Sequence, residues 1–156
     1  MKSPVLKIVF GLLVVIIGAF VIYSAGKPGL GSQDASSPNL TNGELPYQSG
    51  IKKLAAKDWS GAKTELETAY DLGYNKASAP LGSCYLKLND TTKAKIYLKH
   101  ALDSISSYSN QHQRVIYNDL GILYHQSGKQ DSAKIFWMKA QALGSLDAQD
   151  NLKRNN

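Results

Sequence analysis

The sequence predicts an all-α protein built from helical-hairpin repeats and preceded by one N-terminal transmembrane helix. Two observations predict this. The first is a phrase of Ala-Lys, two residues, Leu or Trp, two residues and Ala, which occurs three times: AKTELETA from Ala62, AKIYLKHA from Ala94 and AKIFWMKA from Ala133. Spacings of four and three place its apolar residues on one helical face. The second is an uncharged apolar run from Ile8 to Gly26.

The N-terminal apolar run has the length of a membrane span. Its 19 residues would extend ~28 Å as a helix at about 1.5 Å per residue, close to the ~30 Å hydrocarbon core of a bilayer. Lys2 and Lys7 precede it, so the positive-inside rule places residues 1–7 in the cytoplasm. We therefore expect a transmembrane helix over 8–25 and a single-pass, N-in protein. The remaining chain would be extracytoplasmic, as on the periplasmic side of a bacterial inner membrane.

Two alternatives remain for this segment. Small residues at Ser24, Ala25 and Gly26 would also suit signal-peptide cleavage, although the apolar run is longer than the usual h-region of about 7–15 residues. Gly11, Gly18 and Ala25 recur every seven residues and could pair two such helices, which leaves a homo-oligomer open. Export of the remaining chain follows from either the anchored or the cleaved form.

Residues 26–43 predict a flexible linker, and 44–156 predict the repeat domain. The linker is rich in Gly, Pro, Ser and Asn and shows no apolar period. Hydrophobic residues are 43% and charged residues 19% of the chain, which is a globular composition. The net charge is +6, but the basic and acidic residues of the repeat domain are interleaved. Because no nucleic-acid motif accompanies them, we expect no nucleic-acid partner.

Each phrase belongs to a larger unit that reads as helix, turn, helix. A glycine lies twelve residues before the first Ala of each phrase, and an aspartate that could cap the second helix lies between them, at Asp58, Asp90 and Asp131. The units are predicted at about 44–74, 75–108 and 110–144, followed by a capping helix at 145–156. We expect each glycine to face the alanine of its partner helix and Trp137 to fill the space between units. The packing residues are Gly50, Ala62, Gly82, Ala94, Gly121, Ala133 and Trp137.

The third unit resembles the tetratricopeptide repeat. It carries that family's aromatic, Leu-Gly, Tyr, Ala, aromatic and Ala positions at Tyr117, Leu120, Gly121, Tyr124, Ala133, Trp137 and Ala140. The stretches AYDLGYNKASAPLGSCY and WMKAQALGSLDAQDNL are more similar to SEL-like repeats. The units step by 32 and then 39 residues, and the family's late proline is absent from each of them.

The resemblance implies a solenoid scaffold for protein–protein interaction, in which the first helices line a concave groove. By the family's pattern the groove residues would be Tyr47, Ile51, Ala79, Ser83, Lys87, Asn118, Ile122 and His125. We expect a membrane-anchored scaffold that recruits a protein or peptide partner in the cell envelope. The alternative is a structural subunit of a secretion or pilus type of assembly, which would associate through its transmembrane helix.

Catalysis finds little support in the sequence. His100, His112 and His125 lie far apart and lack metal-ligand spacing. The single cysteine, Cys84, has no base and orienting group nearby, so we expect a small buried apolar residue. Gly26 to Gly31 lacks the strand and helix of a phosphate-binding loop. The sequence therefore predicts no enzyme, no metal site and no cofactor.

Overall fold

The computed structural model describes residues 42–155, and this part of the chain is α-helical without strands. Its seven α-helices are α1 Glu44–Ala55, α2 Trp59–Asp71, α3 Ser78–Lys87, α4 Thr91–Asp103, α5 Asn110–Gln126, α6 Gln130–Ala142 and α7 Leu146–Arg154. Two 3₁₀ turns, Asn75–Ala77 and Ile105–Ser107, lie between the hairpins. The predicted transmembrane helix, and all but the end of the predicted linker, lie outside the described residues. Within 42–155, no helix has the length and apolar composition that a bilayer crossing requires.

The helices pair as successive hairpins. Helix α1 packs on α2, α3 on α4 and α5 on α6, while α2 contacts α3, α4 contacts α5, and α7 closes the series against α6. Each hairpin turn contains one residue in the left-handed backbone region: Lys57 at φ 61°, Asn89 at φ 60° and Gly128 at φ 74°. That region favours Gly and tolerates Asn, whereas a lysine there is held by the turn around it. One turn geometry thus serves three different sequences.

The residue after each left-handed position is the N-cap of the second helix. Asp58 accepts a hydrogen bond from the Gly61 amide at 2.9 Å, and Asp90 accepts one from the Lys93 amide at 3.0 Å. The predicted capping role of Asp131 is wrong, because Lys129 is the N-cap of α6 and Asp131 lies inside its first turn. The aspartate of the third unit comes two residues too late to cap, and no side-chain cap bond forms there.

The glycine of each first helix accommodates a bulky side chain of the second. A Cβ built at Gly50 would lie 2.6 Å from Leu66 Cγ, and one built at Gly82 would lie 2.7 Å from Leu98 Cγ. At Gly121 the atom would be 2.8 Å from Cγ of Trp137 and closer still to Cδ1 and Nε1. The structure therefore places the bulky residue of each phrase against the glycine. At Gly50 the first alanine of the phrase is close as well, because the same Cβ would lie 3.4 Å from the Ala62 carbonyl oxygen.

The alanines of the three phrases are nevertheless completely buried: Ala62, Ala69, Ala94, Ala101, Ala133 and Ala140. The buried core runs from Ala62 on α2 to Leu123 on α5, so the hairpins share one apolar interior. Trp137 belongs to a second cluster together with Ala148 of α7. It lies within the third hairpin, on the side of the capping helix.

Aromatic and polar contacts join the first two hairpins. Tyr85 of α3 stacks on Tyr97 of α4 with ring centroids 5.4 Å apart, and Tyr97 meets Tyr70 of α2 edge-on at 5.3 Å. The Tyr85 hydroxyl donates to Glu67 of α2, and the Tyr70 hydroxyl is hydrogen-bonded to His100. His100 thus has a structural contact between units.

Candidate functional site

A cleft of about 510 Å³ lies between α3, α5 and the start of α7. Four of the predicted groove residues line it: Ser83, Lys87, Asn118 and Ile122. A smaller cleft of about 230 Å³ also involves Ser83, Lys87 and Ile122. The order of helices in the repeat explains this grouping, because α3 and α5 are the first helices of successive hairpins and the capping helix α7 follows α6 in the place of a further first helix. We call the larger cavity the α3–α5–α7 cleft.

The remaining predicted groove residues lie elsewhere. Tyr47 and Ala79 line a separate cleft of about 300 Å³, together with residues at the start of α5. Ile51 is exposed on α1. His125 contacts the second helix of its own hairpin, with Nδ1 2.9 Å from Gln130 Oε1 and its ring centroid 5.6 Å from that of Trp137. The structure thus brings together half of the predicted set.

Asp119 of α5, which the sequence analysis did not single out, lies in the same cleft. It is only 9% exposed, and its Oδ2 accepts a hydrogen bond from the Ser83 hydroxyl of α3. Burial raises the pKa of its carboxyl to about 6, against the opposing effects of the Ser83 hydrogen bond and the charge of Lys87. Asp119 lies three residues before Ile122, one helical turn away, so the spacing alone could have placed it on the groove face.

Two cations line the cleft without pairing with its carboxylates. Lys87 Nζ lies 6.0 Å from the ring centroid of Trp59, and an Arg114 guanidinium nitrogen lies 3.5 Å from the Gly144 carbonyl oxygen. The ion pairs found within 42–155 involve other residues. Asp119 and Asp147, which also lines the cleft, therefore have no ion-pair partner in the described part of the chain.

Apolar side chains form the rim of the cleft. Val115 of α5 is 47% exposed and Leu146 of α7 is 76% exposed, and both line the cavity. The Asn151 amide of α7 donates to Asn118 Oδ1 at 3.1 Å and ties this helix to α5. The result is a polar floor between exposed apolar edges, held by three helices.

The described residues offer little for catalysis. Cys84 is fully buried, and burial raises the pKa of its thiol to about 12, so it remains protonated at neutral pH and is a poor nucleophile. Across 42–155, no group of three or more His, Cys, Asp or Glu side chains is arranged to hold a metal ion. The three histidines make separate contacts. His112 is hydrogen-bonded to Ser109 at 2.7 Å, whereas His100 contacts Tyr70 and His125 contacts Gln130.

A family model described as Tetratricopeptide repeat matches residues 81–108, which cover most of α3, all of α4 and the turn that follows. No curated protein matches the chain. The match supports a tetratricopeptide-like repeat protein, and the helical hairpins on either side are consistent with such repeats. Repeats of this type commonly mediate protein–protein binding and are generally non-enzymatic, so the match suggests a protein–protein interaction scaffold.

Proposed function

We propose that this protein is a membrane-anchored, extracytoplasmic scaffold that recruits a protein or peptide partner in the cell envelope through the α3–α5–α7 cleft. The observation that carries the proposal is the cleft itself, which combines an exposed apolar rim with polar groups at its floor. Its volume of about 510 Å³ falls within the ~300–1,000 Å³ of common ligand pockets. It therefore has room for a short segment of a partner.

The membrane part of the proposal is supported by the sequence. The uncharged run from Ile8 to Gly26 follows two lysines and precedes a Gly- and Ser-rich linker. A flexible linker over 26–43 would span ~25 Å, at about 5–6 Å × √n. The repeats would then lie close to the periplasmic side of a bacterial inner membrane. We also propose that the connections between the hairpins are of the SEL-like type.

A photo-crosslinking experiment in cells tests the cleft. A benzoylphenylalanine at Val115 places the crosslinker at the cleft. The same group at Ile96, which is similarly exposed on α4 and does not line this cleft, serves as a matched control. We expect a discrete crosslinked partner from position 115 that position 96 does not give. Equal crosslinking from both positions would overturn the assignment of the cleft.

Two further experiments address the anchor. Protease added to spheroplasts should digest the repeats and leave a small membrane fragment, whereas full protection of the repeats would rule out the proposed topology. Replacing residues 8–23 by an unrelated membrane helix should leave partner capture from position 115 intact. Loss of capture in that chimera would favour the alternative, a structural subunit that associates through its own membrane helix.

A further inference from the structure

We propose that the α3–α5–α7 cleft binds a Lys or Arg side chain of the partner, whose cation pairs with the carboxylates of Asp119 and Asp147. This inference rests on the proposed function of the cleft and names the chemistry of its partner. An apolar residue next to the cation would pack on Val115 and Leu146 at the rim. The argument is charge complementarity, because the two carboxylates have no ion-pair partner within the described residues and a cationic side chain would provide one.

The first step concerns the buried carboxylate. Asp119 is only 9% exposed. Within 42–155 its side chain accepts a single hydrogen bond, which the Ser83 hydroxyl donates to Oδ2. Within 42–155, Trp137 Nε1 is the fully enclosed side-chain polar atom that lacks a hydrogen-bond partner. The second oxygen of Asp119, Oδ1, also accepts no hydrogen bond there, so it is not fully enclosed and keeps access to the cleft. Buried carboxylates are normally paired, and this one has a free oxygen facing an open cavity.

The second step concerns the charges around it. The titratable and charged groups that face Asp119 are Lys87 and Cys84 of α3, Arg114 of α5 and Asp147 of α7. Cys84 is a neutral thiol, and the two cations are directed at the Trp59 ring and at a backbone carbonyl. Neither cation forms an ion pair with Asp119 or Asp147 within the described residues. The charge of Lys87 acts on Asp119 and lowers its pKa without an ion-pair contact. A cation supplied by a partner would pair directly with the free oxygen of Asp119 and with Asp147.

The third step gives the proposal a pH signature. The Asp119 pKa of about 6 places its ionisation just below neutral pH. A cationic side chain binds the ionised form, so binding is favoured above this pKa and opposed below it. At one pH unit below the pKa about nine-tenths of the carboxyl is protonated, so we expect roughly tenfold weaker binding at pH 5 than at pH 7.

A displayed random heptapeptide library, selected on the full-length chain in detergent micelles, tests the proposal. We expect recovered peptides to share a Lys or Arg beside an apolar residue. Asp119→Asn should weaken their binding at pH 7 at least tenfold and remove its pH dependence, and Asp147→Asn should weaken it several-fold. Asp150→Asn, the same change about one turn further along α7 at a residue that does not line the cleft, should bind as the wild type. Circular dichroism of each variant checks that the helices are intact.

The outcomes separate this inference from the proposed function. Val115→Arg replaces the apolar rim contact by a long cation, which removes the packing of any peptide held there and repels a cationic one. Peptides whose binding Val115→Arg abolishes but that lack Lys and Arg, and that bind Asp119→Asn as well as wild type, would overturn the inference and leave the proposed function standing. Failure to recover peptides, or recovery of peptides that Val115→Arg does not affect, would overturn both.

Discussion

Gly121 of α5 lies against the indole ring of Trp137 of α6, with no space between them for even a methyl group. A Cβ at position 121 would be 2.8 Å from Trp137 Cγ and closer to two other ring atoms. The ring is 1% exposed, so the surrounding core holds it in place. Leu66 and Leu98 occupy the equivalent place over Gly50 and Gly82. Trp137, the largest of these three side chains, thus fits against α5 because residue 121 is a glycine.

Gly121→Ala is predicted to destabilise the repeats by about 1–3 kcal/mol or more through overpacking. Two effects of opposite sign compete here. Alanine in a helix interior is favoured over glycine by roughly 0.5–1 kcal/mol, so the variant would be more stable if the indole ring could move aside. The sign of the change therefore reports directly on the contact. Urea unfolding followed by tryptophan fluorescence measures it, since both tryptophans of the chain, Trp59 and Trp137, lie in the repeats.

The control for this variant is Gln111→Ala, an exposed position of the same helix. It should change the unfolding free energy by no more than about 0.5 kcal/mol. A Gly121→Ala protein as stable as this control would contradict the packing that the structure shows.

Asp90→Ala is predicted to cost about 1 kcal/mol, because it removes the side chain that accepts the Lys93 amide at the start of α4. Asp131→Ala is the matched comparison. It removes the aspartate of the third unit, which makes no capping bond, and should cost less than about 0.5 kcal/mol. Thermal unfolding by circular dichroism distinguishes the two. Equal losses would mean that Asp131 caps α6 in solution.

Ala133→Leu is predicted to destabilise the third hairpin by about 1–3 kcal/mol or more, because the alanine is completely buried and a larger side chain has no space. Lys134→Leu changes the next residue along the same helix, which is only half-buried, and should be mild. Hydrogen exchange of the full-length chain would locate the effect in α5 and α6. Similar stabilities for the two variants would show that the repeat phrase does not mark the buried face.

The repeat phrase predicts the hairpins well because helix pairing depends on local spacing. Small and bulky apolar residues at intervals of three and four specify which face of α2, α4 and α6 is buried, and sequence shows those intervals directly. Asp131 shows that the same spacing also locates the caps. Asp58 and Asp90 lie four residues before the first alanine of their phrases, whereas Asp131 lies two residues before Ala133. The N-cap of α6, four residues before Ala133 and directly after the left-handed Gly128, is Lys129.

The candidate site could be predicted only in part. The family's pattern identifies the exposed face of the first helices, and four of the residues that it indicates lie in one cleft: Ser83, Lys87, Asn118 and Ile122. The hydrogen bond between Ser83 and Asp119 joins residues 36 positions apart, and no local pattern encodes it. His125, a predicted groove residue, instead packs its ring beside that of Trp137, and the ring centroids are 5.6 Å apart. Contacts between hairpins, unlike the hairpins themselves, require the three-dimensional packing.

Asp119→Asn is predicted to make the repeats more stable at neutral pH. Burial raises the pKa of this carboxyl from 3.8 to about 6, so the folded chain holds the proton more tightly than the unfolded chain. A raised carboxyl pKa contributes most favourably when the group is protonated, below about pH 4, and its contribution is lost as pH rises toward 6 and beyond. At about 1.4 kcal/mol per pKa unit, the wild type loses roughly 3 kcal/mol across this interval.

Asparagine keeps an oxygen that can accept the Ser83 hydrogen bond and carries no charge, so it removes this loss. The difference in unfolding free energy between Asp119→Asn and wild type should be small at pH 4 and should grow to about 3 kcal/mol in favour of the variant by pH 7. Glu65, whose pKa is lowered by its hydrogen bond from Lys53, titrates in both proteins and cancels from the difference. Urea unfolding at intervals from pH 4 to 7.5 measures it. A difference that stays constant with pH, or that favours the wild type at pH 7, would show that the Asp119 carboxyl is solvated and not buried as the structure has it.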